Sequence, residues 1–229
     1  MNDRERFPPL PECIRDEFQQ LSIDLSMTRG KWILFRQLYS HSDKRADLLM
    51  RTASAFFEYV FHVFRDDTFM ALHRFMDSPS GWGQENLSLR RVLERLREGP
   101  APASLVGRLE ELLLRFEEQC EPFRAHRHKR LAHRDLRVAL DLAAEPLPGI
   151  TLQMIDDALA TAGEFLNTVQ SHFCNSETAY EFLGMVGDAD SLATYLVEAL
   201  RYEELQRDAV VDWSDLDKSE WRGAIGTSN

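Results

Sequence analysis

The 229-residue sequence predicts an all-α fold, an antiparallel helical bundle with an additional C-terminal helix and an acidic tail. Three observations carry that prediction. Apolar residues recur at spacings of three and four through most of the chain. No run reads as a convincing strand, and no internal repeat or low-complexity tract is visible. Helix-breaking residues gather in short runs between the periodic stretches, as connections between antiparallel neighbours require.

Taken in order, Pro8-Pro9-Leu10-Pro11 leads into Ile14, Phe18, Leu21, Leu25, Trp32, Phe35 and Leu38, which predict one long helix or two joined near Gly30. A second helix is expected from about Ser42 to Met76. Its centre, Phe56 to Phe64, is apolar on almost every side, the pattern of a helix surrounded by others in the middle of a bundle. The turn-forming run Ser78-Pro79-Ser80-Gly81-Trp82-Gly83 ends it. Leu89, Val92, Leu93 and Leu96 then mark a shorter helix stopped by Gly99-Pro100, and Leu105, Leu109, Leu112 and Phe116 define the next.

Pro122 lacks an N–H and its ring crowds the preceding turn, so it is expected at a helix break or in the first turn of a new helix. Thr151 is a good N-cap for a long amphipathic helix. Leu152, Ile155, Leu159, Ala162, Leu166, Val169 and Phe173 form one narrow stripe on it, to be buried on the bundle or in a dimer seam. A last helix, about Ser191 to Gln206, precedes a tail with Trp213 and Trp221. The plan is a bundle over residues 1–175 and an appendage over 176–229.

Composition is that of a globular protein with a substantial core: 44% hydrophobic and 28% charged residues, with a formal net charge of -11. No apolar run approaches the roughly 18 to 20 residues of a membrane span, and the N-terminus lacks the apolar stretch of a signal peptide, so the expected location is cytoplasmic with no membrane partner. Cys13, Cys120 and Cys174 are far apart and odd in number. They suit neither a disulfide framework nor a thiolate metal site. Residues 176–229 hold 12 acids against 4 bases, so most of the net negative charge lies C-terminal to the bundle.

Against that acidity, residues 124 to 137 concentrate six Arg or Lys and three His around one acid, Asp135. Like charges this close repel unless an anion neutralises them, so a phosphate-bearing ligand is the first expectation. Arg127 and His133 are six positions apart, which on an unbroken helix leaves them about 120° apart. Either the backbone bends within His128 to Ala132, or a second subunit completes the site across a two-fold axis. In either case the residue types suit metal-free RNA cleavage. A neutral His can take the proton from a ribose 2′-hydroxyl or return one to the leaving 5′-oxygen, while Arg fixes the phosphate and neutralises charge developing on it. His126, His128 and His133 lack the helical His-x3-His spacing of a metal pair, and neither a metal nor a cofactor is expected. Arg74 and Asp77, three apart in an apolar segment, are expected to form an ion pair that faces the cleft and helps hold Arg127 or its neighbours.

The string Arg127-His128-Lys129-Arg130-Leu131-Ala132-His133 resembles the signature of the HEPN superfamily, an Arg followed by a polar residue and, after four to six intervening positions, a His. Phe56-Phe57, Ala71 to Asp77, Glu85 to Arg91, Arg130 to Asp135 and the helix from Ile150 to Phe173 resemble, in that order, its abortive-infection U-type branch, over roughly Glu12 to Phe173. The resemblance implies a helical bundle that dimerises so that two Arg/His motifs line a shared cleft, and a metal-independent endoribonuclease of phage defence or a toxin. It assigns Arg127 to the scissile phosphate, His133 to proton transfer and His128 to the polar position, where Asn or Asp is commoner. Arg124, Lys129, Arg130, Arg134 and Arg137 would bind RNA, and an antitoxin protein is a further partner. Related toxins carry a Tyr two positions after the motif His; Asp135 stands there, so silencing by nucleotide transfer to that Tyr is not implied. The alternative is a catalytically silent HEPN module that dimerises and binds a partner protein or RNA through the same surface.

Overall fold

The computed structural model describes residues 9–81, 83–99, 101–126, 149–182 and 184–208. Their elements, in chain order, are α1 (Glu12–Tyr39), α2 (Asp43–Met76), β1 (Ser80–Gly81), β2 (Gln84–Glu85), α3 (Leu89–Glu98), α4 (Ala103–His126), α5 (Leu152–Cys174) and α6 (Ala189–Arg207). The described residues within 1–35 and 59–184 form one compact unit, and those within 36–58 and 185–229 a second.

In the first unit, paired side chains give the helix directions. Lys31 Nζ lies 2.7 Å from Asp67 Oδ2 and the rings of Phe35 and Phe61 are 5.2 Å apart, so α1 and α2 run antiparallel. The Trp32 indole donates to Asp156 Oδ1 at 2.7 Å while Gly163 sits beside Leu25, which makes α1 and α5 antiparallel too. Arg90 pairs with Glu117 and Arg97 with Glu110, so α3 and α4 are likewise antiparallel. The core between them is apolar and closed: Ile14, Phe18, Leu25, Leu72, Leu109, Phe116, Leu159 and Phe165 are all buried.

Several elements follow directly from sequence. α1 passes through Gly30 as one helix. α3 buries Leu89, Val92, Leu93 and Leu96, and its N-cap Ser88 accepts from the Arg91 N–H. Thr151 caps α5 by accepting from the Met154 N–H, and Asn175 closes it in the left-handed conformation at φ 48°.

Four expectations are corrected. Ser80–Gly81 and Gln84–Glu85 pair as a minimal antiparallel ladder where no strand was expected; Gly83, at φ 78°, supplies the positive φ of the tight turn. Pro122 lies inside α4, which continues to His126. The buried side chains of Cys120 and Phe123 flank it, and their packing outweighs the backbone hydrogen bond that Pro122 deletes. The buried face of α5 is broad, not narrow: besides the apolar stripe it includes Ala158, Thr161, Gly163, Phe165 and Gln170, because α1 and α4 cover it from two sides. Finally, the centre of α2 is not surrounded. Tyr59 is 74% exposed and Val63 62%, although Phe69, Leu72 and Phe75 further along the same helix are buried.

In the second unit Leu38, Leu48, Leu49, Phe57, Ala189 and Ala193 are buried, and polar bonds tie the segments together. The Tyr39 hydroxyl donates to the Phe57 carbonyl at 2.7 Å, and burial pushes that phenol up to about 12. Gln37 Nε2 donates to Asp188 at 2.7 Å, and Arg45 pairs with Asp190 at 2.9 Å. α2 kinks at Ala53, whose φ of -153° and ψ of 63° leave the helical region.

Candidate functional site

The approach to the basic cluster is built by the last turn of α4. Phe69 of α2 packs on Phe123, with ring centroids 5.3 Å apart, and on His126 at 5.7 Å in an edge-on arrangement. With Phe123 fully buried, those contacts fix the position from which the chain enters the cluster. Arg124 projects from the same turn into solvent and lies 3.3 Å from Glu121, one turn back. As a cation in the last turn of α4, Arg124 also offsets the partial negative charge at that end of the helix. Arg127, His128, Lys129, Arg130, His133, Arg134 and Arg137 lie outside the described residues.

Arg74 and Asp77 are placed differently from the expected ion pair. α2 ends at Met76, and Asp77, the next residue, has Oδ1 3.1 Å from Nδ1 of His73. Arg74 is solvent-exposed, so its charge needs no partner inside an apolar segment. Both residues line a cavity of about 220 Å³ together with Asp24, Thr28, Glu85 and Asn86. The side chain of Asn86 holds the rim by donating to the Ser78 carbonyl at 2.9 Å.

His73 is the residue that sequence reasoning passed over. It is buried, one turn beyond Phe69 and one turn before Asp77, so an imidazole on the core side of α2 is delivered to a carboxylate on the cavity wall. The signal was present in the spacing of four between Phe69, His73 and Asp77.

Burial pushes the Cys120 and Cys174 thiols up, away from the reactive thiolate. Among the described residues no group of three or more His, Cys, Asp or Glu side chains is placed to hold a metal ion. No described helix is long and apolar enough to cross a membrane.

A family model described as AbiU2, of the HEPN class, matches residues 11–192. The chain belongs to the AbiU2 family of HEPN domains. The match takes in α1 to α5, the start of α6 and the whole basic cluster, and so reaches further than the likeness of separate blocks to Phe173. No curated protein and no solved structure matches the chain. In this AbiU2-family protein the described part of the candidate site is thus the anchored end of α4, with Arg124 and His126; Asp77, paired with the buried His73, lies on the wall of a separate polar cavity.

Proposed function

We propose that this AbiU2-family protein is a metal-independent endoribonuclease acting in abortive infection or as a toxin. One observation carries the reading: the family match encloses Arg127-His128-Lys129-Arg130-Leu131-Ala132-His133, which supplies both a guanidinium and an imidazole in HEPN spacing. The exposed Arg124 at the end of an anchored helix supports it, since a polyanion needs solvent-facing cations in an otherwise acidic chain.

The chemistry follows from the residue types. Neutral His133 takes the proton of a ribose 2′-hydroxyl; the 2′-oxygen attacks the adjacent phosphorus; the bond to the 5′-oxygen breaks and that oxygen takes up a proton. The products end in a 2′,3′-cyclic phosphate and a 5′-hydroxyl. Arg127 holds the two non-bridging oxygens and neutralises charge growing on them. Arg124, Lys129, Arg130, Arg134 and Arg137 bind the flanking phosphates, and a second copy of the chain completes the cleft.

Incubation with total RNA in EDTA tests this. Wild type cleaves and leaves cyclic-phosphate ends, and His133→Ala loses about 10²- to 10⁴-fold in rate, the usual contribution of a positioned acid or base. Arg127→Lys, which keeps charge but loses the bidentate fork, also falls. Cleavage that persists at full rate in His133→Ala rejects the proposal. RNA or protein binding without cleavage by the wild type rejects it in favour of the silent HEPN module.

A further inference from the structure

A groove of about 1030 Å³ runs between the first turns of α2 and the length of α6, within the second unit, and shares no residue with the basic cluster or the 220 Å³ cavity. Asp190, Ala193, Val197, Leu200 and Glu204 line it at spacings of three and four, so they form one face of α6. Arg45 meets Asp190 at 2.9 Å near one end, and Arg51 stands 4.0 Å from Glu204 at the other. Between those ties the face is open: Leu48 and Ala193 make a buried floor, but Val197 is 55% exposed and Leu200 only half-buried. α6 has 19 residues and buries only Ala189 and Ala193 among the described ones. Such small side chains remove little apolar surface from water, so the helix needs a further cover.

Reach identifies the cover. α6 ends at Arg207, and residues 209–229, outside the described ones, follow it with Val210, Val211, Trp213, Leu216 and Trp221 among them. Val197 lies ten residues back along α6, about 15 Å from its end. Trp213 lies five residues beyond Asp208, and an extended stretch of that length spans up to about 17 Å, so its indole can come back to Val197 and Leu200. The short tether holds it near the groove at an effective concentration on the order of mM, an advantage that no separate partner has. Charge agrees. The rim carries five acids against four Lys or Arg, so neither sign is shut out. Arg51 has its acidic neighbours no closer than 3.9 Å, which leaves it able to meet Asp212 or Asp215 on either side of Trp213.

We propose that the segment after α6 turns back into this groove, with Trp213 seated on Val197 and Leu200 and Asp212 or Asp215 facing Arg51. The inference is independent of the nuclease reading, because its readout is the surroundings of one indole in the full chain. Subtracting the fluorescence of Trp213→Phe from that of the wild type isolates Trp213. Its emission is expected at the short wavelength of a buried indole, with weak quenching by acrylamide. Val197→Glu puts a charge under the indole, where burial is costly, so the emission moves to the long wavelength of a hydrated indole and quenching rises several-fold. Tyr195→Glu, at a 67% exposed position of α6 outside the groove, leaves both unchanged. Each variant is read against its own Trp213→Phe partner. A hydrated Trp213 in the wild type overturns the proposal, and so does an equal response to the two substitutions. A shift to the hydrated spectrum on dilution overturns it as well, because the occupant is then the tail of a second copy.

Discussion

Tyr180 lies beyond the end of α5, only 1% exposed, with its hydroxyl 2.8 Å from Ser22 Oγ on α1. A buried hydroxyl pair of this kind contributes about 1 kcal/mol net, so Tyr180→Phe should lower the unfolding free energy by that amount, read as a lower urea midpoint at an unchanged slope. Asp188 makes a pH-dependent contribution. The Ser191 backbone N–H, with Gln37, holds its carboxyl below the ordinary 3.8. Because the folded value is the depressed one, the cap's stabilisation is complete above the unfolded value and is lost as pH falls through the folded one. Melting temperatures of wild type and Asp188→Asn should therefore converge below about pH 4, the ordinary carboxylate range; a gap that stays constant down to pH 3 rejects this. Single residues were the hardest part of the site to read. Asp77 was singled out in the sequence, but its partner was taken to be Arg74 because opposite charges three apart are the obvious pair. The folded chain turns Arg74 to solvent and brings His73 to 3.1 Å from Asp77.

The helices show why some elements are legible and others not. α3 and α5 announce themselves because cap, periodicity and stop agree: Ser88 and Thr151 at the start, spacings of three and four within, Gly99 and Asn175 at the end. Thr151→Ala should accordingly cost about 1 kcal/mol by removing the acceptor for the Met154 N–H. Phe165→Ala, at a fully buried position of α5, should cost about 3 to 5 kcal/mol. A circular dichroism melt of each variant measures both, and a larger loss for the cap than for the core would contradict the packing described. Pro122 is the opposite case. Local chemistry says that a helix should end there, yet Cys120 and Phe123 are buried on either side, and tertiary burial carries α4 on to His126. That extension also sets the site, since Phe123 and His126 are the two side chains seated on Phe69.

At the scale of the whole molecule, an apolar helix surface reveals that something covers it but not what. The run from Phe56 to Phe64 was read as a helix enclosed by its own bundle, and hydropathy alone has no means of separating that from a face left for another chain. Tyr59 and Val63 are four apart, so they share one side of α2, and both are largely exposed. Self-association through a two-fold axis would set this surface against itself, matching each Tyr59 with the facing copy's apolar patch. If the dimer of the proposed nuclease forms here, Tyr59→Glu with Val63→Glu places like charges at the seam and converts the protein to a monomer in light scattering at micromolar concentration. The variant should keep its helical spectrum, because neither side chain is part of the core. RNA cleavage should then fall with the dimer fraction and recover in part at high protein concentration, a dependence that a self-sufficient single-chain site would not show. A double variant that remains dimeric excludes α2 as the seam, and a monomeric one that cleaves at the wild-type rate excludes a shared cleft.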